Sequence, residues 1–246
     1  MINSGGFGFA PFPHNRGGGI FNNGSSPTLS NLVLSANSAM YGGGMANLGG
    51  SSPTLTNVTI SANIAEHGAG MANDASSPTL TDVTLSANDA YIVGGGMYNT
   101  ANSNPTLTSV TISANIAQDG GGGMYNDDSS PTLRYVTLSS NTTAWSHPNI
   151  LSGPGGGMLN TNSSPTLTSV TISGNAATYG GGMLNIENSS PTLTNVTLIS
   201  NTGEAGSGGM FNANSNLTLT NVAITNNTGG GMYNAFSSPT LSLIHI

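Results

Sequence analysis

Apolar positions in this chain recur with two spacings that cannot share one straight element. In Leu55-Thr56-Asn57-Val58-Thr59-Ile60, Val58 and Ile60 lie two residues apart, so in a strand their side chains share a face. Leu55 and Val58 lie three apart, and a straight strand cannot point both to one side. The backbone must turn a corner between them, near Asn57, and Asn tolerates the left-handed conformation that such corners often need. The block returns as Leu-x-x-Val-x-Ile-x-x-Asn in all eight complete units, with Leu or Ile at the third apolar slot and Leu32 once in place of Val. Asn, Asp or Ser fills the corner slot in seven of these eight units, and Tyr135 is the exception.

A second block is a glycine run followed by Met-x-Asn, as in Gly95-Gly96-Met97-Tyr98-Asn99. All nine copies keep the final Asn (22, 47, 73, 99, 126, 160, 185, 212 and 234), and Ile20 replaces the Met once. Between the blocks lies Ser-Ser-Pro-Thr-Leu or a close variant. Its Pro slot falls at 27, 53, 78, 105, 131, 165, 191, 217 (a Leu) and 239, with spacings of 26, 25, 27, 26, 34, 26, 26 and 22. A fixed period of this length is the signature of a solenoid, in which no unit can hide its own apolar face and each is buried by its neighbours. Corners are expected near Asn57, at Ser61-Ala62-Asn63 and after Met-x-Asn. They divide each turn into three short strands, around Met, around Pro-Thr-Leu and around Val-Thr-Ile. The stacked Asn residues are positioned to hydrogen-bond along the axis.

Leucine-rich repeats share the Leu-x-x-Val-x-Ile-x-x-Asn block, but runs such as Gly120 to Gly123 are poor helix material and no further leucines follow. The expectation is all-β: a right-handed parallel β-helix of about nine rungs of ~26 residues, three short strands per rung, the hand following the general rule for parallel crossovers. Residues 1–240 read as a single β-helix domain, a segment of a longer solenoid. Residues 241–246 depart from the repeat and read as the translation of a transposon-end adapter from sequencing libraries, hence as a non-native tail.

Composition narrows function. Charged residues make up 4 % of the chain, against roughly 25 % in ordinary soluble domains. With two Arg, no Lys and a net charge of −7, the chain lacks the basic cluster that nucleic acid or anionic lipid requires. No cysteine is present, which excludes disulfides and thiolate metal sites. No apolar run reaches the roughly 18 residues of a membrane helix, so this segment is not expected to insert in a membrane. Met1 is not followed by a basic region and an apolar stretch, so no signal peptide is visible.

Candidate chemistry is sparse. The segment from the Asn of the first block to the next Met absorbs the length changes, and insertions in solenoids collect at a loop edge that often binds. Successive loops there carry Glu66 and His67, then Asp89 and Tyr91, then Asp119, then Trp145 and His147. Acids, imidazole and aromatic rings on one edge suit glycan binding. Asp74 and Asp127 occupy equivalent positions two rungs apart, a spacing that could suit an inverting carboxylate pair, although turn-forming Asp is the simpler reading. Thr-Leu-Thr recurs with both Thr facing out, in ranks broken at Ser30 and Arg134, an arrangement like an ice-binding face. The glycine runs lack the Lys and the helix of a phosphate loop. The ten Met fit as core fillers. No cofactor or metal is implied.

Ile60-Ser61-Ala62-Asn63 with Gly42-Gly43-Gly44-Met45 resembles the repeats of the polymorphic outer-membrane protein family, which pair Phe-x-x-Asn with Gly-Gly-Ala-(Ile/Leu/Val). The chain departs from them in using Ile or Leu for Phe and Met for the aliphatic residue. It is also similar to the Ser-Pro-Thr-Leu-Thr-Asn-Val-Thr repeats of large bacterial secreted β-helix proteins. The resemblance covers nearly the whole chain. It implies export, display at the cell surface and adhesion, with glycan or a neighbouring cell surface as partner and further rungs or an anchor domain in the full protein. A polysaccharide lyase or hydrolase is the alternative, and an ice-binding solenoid a further one.

Overall fold

The computed structural model describes residues 16–144, 153–204 and 206–246. Among them all regular structure is β, and every strand pairing is parallel. Nine strands around the Met slot, from Ile20–Asn23 to Met232–Ala235, form one sheet in sequence order and bound eight turns of a parallel β-solenoid. Like pairs with like: Met97 lies beside Met71 and Met124, and Asn99 beside Asn73 and Asn126. The Pro-Thr-Leu and Val-Thr-Ile strands together make the second sheet.

The corners fall where side-chain parity requires them. Asn57 has φ of 53°, and its counterparts Asn31, Asp82, Ser109, Tyr135, Ser169, Asn195 and Asn221 are all left-handed too. The second corner is left-handed at Ala62, Ala87 and Ala114, and the third at residues such as Ala75, Asp128 and Asn162. Strands run unbroken through the first corner where it holds Asn, as in Thr54–Ser61 and Thr218–Thr225. They split into three-residue strands where it holds Asp82, Ser109, Tyr135 or Ser169. Neighbouring Asn corners also bond to each other, Asn57 Nδ2 donating to Asn31 Oδ1 at 2.6 Å and Asn221 Nδ2 to Asn195 Oδ1 at 2.7 Å.

Each turn sends four apolar side chains inward, as with Met97, Leu107, Val110 and Ile112, none more than 1 % exposed. Two Asn columns flank this core. In the Met sheet, Nδ2 donates to the next Oδ1 at 2.8 Å through eight successive steps from Asn22 to Asn234. At the second corner a parallel column runs from Asn37 to Asn227, with steps of 2.9–3.1 Å. The Ser-Ser pair before Pro is a further ladder. Ser103 Oγ accepts from the Ser76 amide at 2.9 Å, and Ser77 Oγ accepts from the Asn104 amide at 2.9 Å.

The glycines before each Met are required by close approach. A Cβ on Gly96 would stand 2.5 Å from the Gly123 carbonyl oxygen and 2.8 Å from Ile112 Cγ2. Here the chain crosses directly over the next rung and the Asn column.

The three expected strands recur, and four rungs add to them. Where the sequence suggested a loop edge, four rungs carry a fourth short strand: Ile64–His67, Asp89–Val93, Ile116–Ala117 and Thr142–Thr143. Ala65, Ala90 and Ala117 stack inward on it and, with Ala69, form a small separate core. Methyl groups leave room for a strand to close against the rod there.

Thr240–His245 pairs in register with Thr218–Thr225. Leu243 occupies the left-handed corner slot at φ 54°, 78 % exposed, where other rungs place polar residues or Tyr135.

Candidate functional site

The fourth strand carries most of the edge residues named from sequence. Ile64, Asp89, Ile116 and Thr142 share one column. Asp89 therefore lies between two isoleucines, and burial holds its carboxyl above the ordinary value. Glu66 is half-buried, Tyr91 is 38 % exposed, and Asp119 is exposed just past Ile116–Ala117. Trp145 and His147 lie outside the described residues.

His67 leaves this group. The pairing between Ile64–His67 and Asp89–Val93 slips after Ala65, which sets His67 opposite Val93. Its ring packs against Tyr41, with centroids 4.7 Å apart and planes 9° apart, and against Tyr98 at 5.6 Å. Burial lowers its pKa, and its Nδ1 is a buried polar atom with no hydrogen-bond partner. Tyr98 continues the row to Tyr125 at 5.6 Å, and Arg16 closes the other end, its guanidinium 5.2 Å above the Tyr41 ring. Arg16 also pairs with Asp74 at 3.9 Å, a partly exposed contact of small energetic weight. Tyr179, Phe211 and Tyr233 form a second row further along.

This aromatic row was missed in the sequence. Part of its signal was the middle residue of Met-x-Asn, aromatic in five of nine copies (Phe21, Tyr98, Tyr125, Phe211 and Tyr233), and part the residue before the glycines, Tyr41, His67 and Tyr179. Chemically the row is largely spent. A sugar stacks on a free ring face, but the faces of Tyr41, His67 and Tyr98 are turned on one another or on Arg16. Burial raises the pKa of the Tyr98 and Tyr125 hydroxyls, and these are bonded to the side chains of Thr100 and Thr161.

Asp74 and Asp127 end the equivalent strands Met71–Asp74 and Met124–Asp127, two rungs apart with Thr100 opposite Asp74. Asp127 is raised by burial and then by Asp128 and Glu187. Asp128 itself is a corner residue at φ 48°. Arg134 is exposed, its guanidinium 5.2 Å above the exposed ring of Tyr135. Among the described residues, no three His, Cys, Asp or Glu side chains converge as a metal site.

The class defined by this fold and surface is a parallel β-solenoid repeat protein. Compared with known protein families, with curated proteins and with solved structures, the chain matches none.

Proposed function

We propose that the chain is a structural, surface-displayed segment of an exported bacterial protein, adhesin- or passenger-like, whose rod extends and holds out one edge to glycan. The observation that carries this reading is the division of labour around each turn. Asn, Ser, Gly and the apolar slots are committed to stacking, and the segment that varies in both length and side chains is the fourth-strand edge. There Glu66, Asp89 and Asp119 supply acceptors for sugar hydroxyls, and Tyr91 adds a partly exposed aromatic side chain. The resemblance to polymorphic outer-membrane protein repeats supports export and display. The paucity of basic residues fits a partner that is neither nucleic acid nor anionic lipid.

The test is a glycan array probed with the wild-type chain and with Tyr91→Ala and Asp89→Asn. Selective binding lost in both variants is expected. Binding to no glycan, or binding indifferent to both substitutions, overturns the edge as a glycan site. Protease treatment of intact source cells tests display separately: cleavage of the segment on living cells supports it, and protection until lysis removes it.

A further inference from the structure

The register turns the Thr-Leu-Thr repeat into a surface with an unusual property. Thr28, Thr54, Thr79, Thr106, Thr132, Thr166, Thr192, Thr218 and Thr240 pair one to the next without a gap. All nine are exposed. Beside them runs a second rank of Ser30, Thr56, Thr81, Thr108, Arg134, Thr168, Thr194, Thr220 and Ser242, in the same register.

Packing explains why the residue after each of these Thr never varies. It is Leu in all nine rungs, and from Leu55 to Leu219 it is fully buried. Packing does not explain the exposed Thr. Exposed strand positions accept many residues at little cost, and other exposed slots of this rod do drift. The first corner reads Asn, Asn, Asp, Ser, Tyr, Ser, Asn, Asn and Leu down the same nine rungs. The Thr slot is also kept where its surroundings fail. It survives at Thr218, where Leu217 replaces Pro, and at Thr132, beside Arg134. A solvent-facing Thr repeated as regularly as the core Leu is what contact with something outside the rod would require.

The geometry describes that ligand. Each Thr presents a hydroxyl and a methyl group. Rungs repeat at about 4.8 Å, and the two ranks stand about 6.6 Å apart along the strand, two residues at ~3.3 Å each. The face is rigid, because two amide columns fix the spacing from within. Arg134 is its one charged side chain. Evenly spaced methyl groups order water between them, and hydroxyls anchor that water in place. A surface periodic in two directions and nearly free of charge matches a ligand that is itself a hydroxyl lattice.

We propose that this Thr face binds ice. The proposal does not depend on display or on the glycan edge, which lies on a different strand of the turn. The test is thermal hysteresis and partition into a growing ice front with the purified chain. The wild type is compared with the double variant Thr106→Tyr, Thr166→Tyr, which raises bulky rings in mid-face. The control is Ser113→Tyr, on the neighbouring strand in a slot that holds Ile199 two rungs on from its partner Ser139. Circular dichroism confirms that each variant keeps its β-structure. The expected result is hysteresis and ice partition in the wild type and in Ser113→Tyr, both lost in the double variant. No hysteresis and no partition in the wild type overturns the proposal. So does activity that survives the double substitution, or a face that retains crystalline polysaccharide but not ice. None of these results bears on glycan-array binding at Tyr91 and Asp89.

Discussion

The two buried Asn columns hold the same residue at the same depth and do different work. In the Met sheet, Asn99 accepts one bond from Asn73 and donates one to Asn126. At the second corner, Asn115 accepts from both the backbone amide and the side chain of Asn88, and donates to the Leu85 carbonyl and to Asn141. The first column is a chain of side chains leaning on one another. The second uses all the hydrogen-bonding capacity of the amide, satisfying the backbone amide that the corner has pulled out of the sheet and adding a donor to a strand carbonyl. A residue repeated for one apparent reason is in fact repeated for two, and the second is the more costly to lose.

The strongest test of this difference is Asn115→Ala. It strands the Asn88 amide in the interior and removes one donor from the Leu85 carbonyl, which keeps its place in the strand pairing. At ~1–3 kcal/mol for a buried orphan, with the side-chain bonds to Asn88 and Asn141 also lost, the expected loss is about 3 kcal/mol in urea unfolding. Because rungs open locally, hydrogen exchange at the Asn88 amide should accelerate more than exchange elsewhere. Gly96→Ala presses on the same column from outside, since its Cβ would stand 3.1 Å from Asn115 Nδ2 as well as against Ile112. A loss of about 2 kcal/mol is expected, as for other overpacked sites. Gly50→Ala has nothing within 4 Å of its Cβ at φ +79°, so it incurs backbone strain alone, about 1 kcal/mol. Asn99→Ala strands only side-chain atoms and should lose about 1 kcal/mol. Equal losses at Asn99 and Asn115 in the same assay would erase the distinction between the columns.

The smallest effect concerns His67, whose buried Nδ1 has no partner while the amides are bonded. Burial lowers its folded pKa below the ordinary 6.5, so the unfolded chain takes up the proton first. Its contribution to stability is present above pH 6.5 and is lost as pH falls through the lower folded value. His67→Phe keeps a ring between Tyr41 and Tyr98 and removes the proton site. Denaturation midpoints followed downward from pH 7 should fall less in this variant than in wild type.

The fold was legible because its determinants are local and repeated. The three-residue gap between Leu55 and Val58 locates the corner, and Asn57 supplies the residue that can occupy it. Nine aligned copies of Met-x-Asn set the register. The fourth strand was hidden because it is short and its first residue changes from rung to rung, Ile64, Asp89, Ile116 and Thr142, and what unites its members is a small residue pointing inward, Ala65, Ala90, Ala117 or Thr143. The edge was legible as a list and not as a site. The slip after Ala65 turns His67 away from Glu66 toward the aromatic row, and no spacing in the sequence announces a slip. The row itself draws on two slots, Tyr98 and Tyr125 between the Met and Asn of their blocks and Tyr41 and His67 just before the glycines, and no single spacing joins them.

Both buried Asn columns point the same way, every amide NH2 toward the higher-numbered rung. Their dipoles therefore add along the axis, a side-chain counterpart of the helix macrodipole, and each bond polarises the next. The rod is an electrical vector: rungs offer carbonyl oxygens in one direction and NH2 groups in the other. A rung that continues both columns must arrive with the matching polarity, its oxygens facing the NH2 groups of the last, so the columns can be prolonged only head to tail.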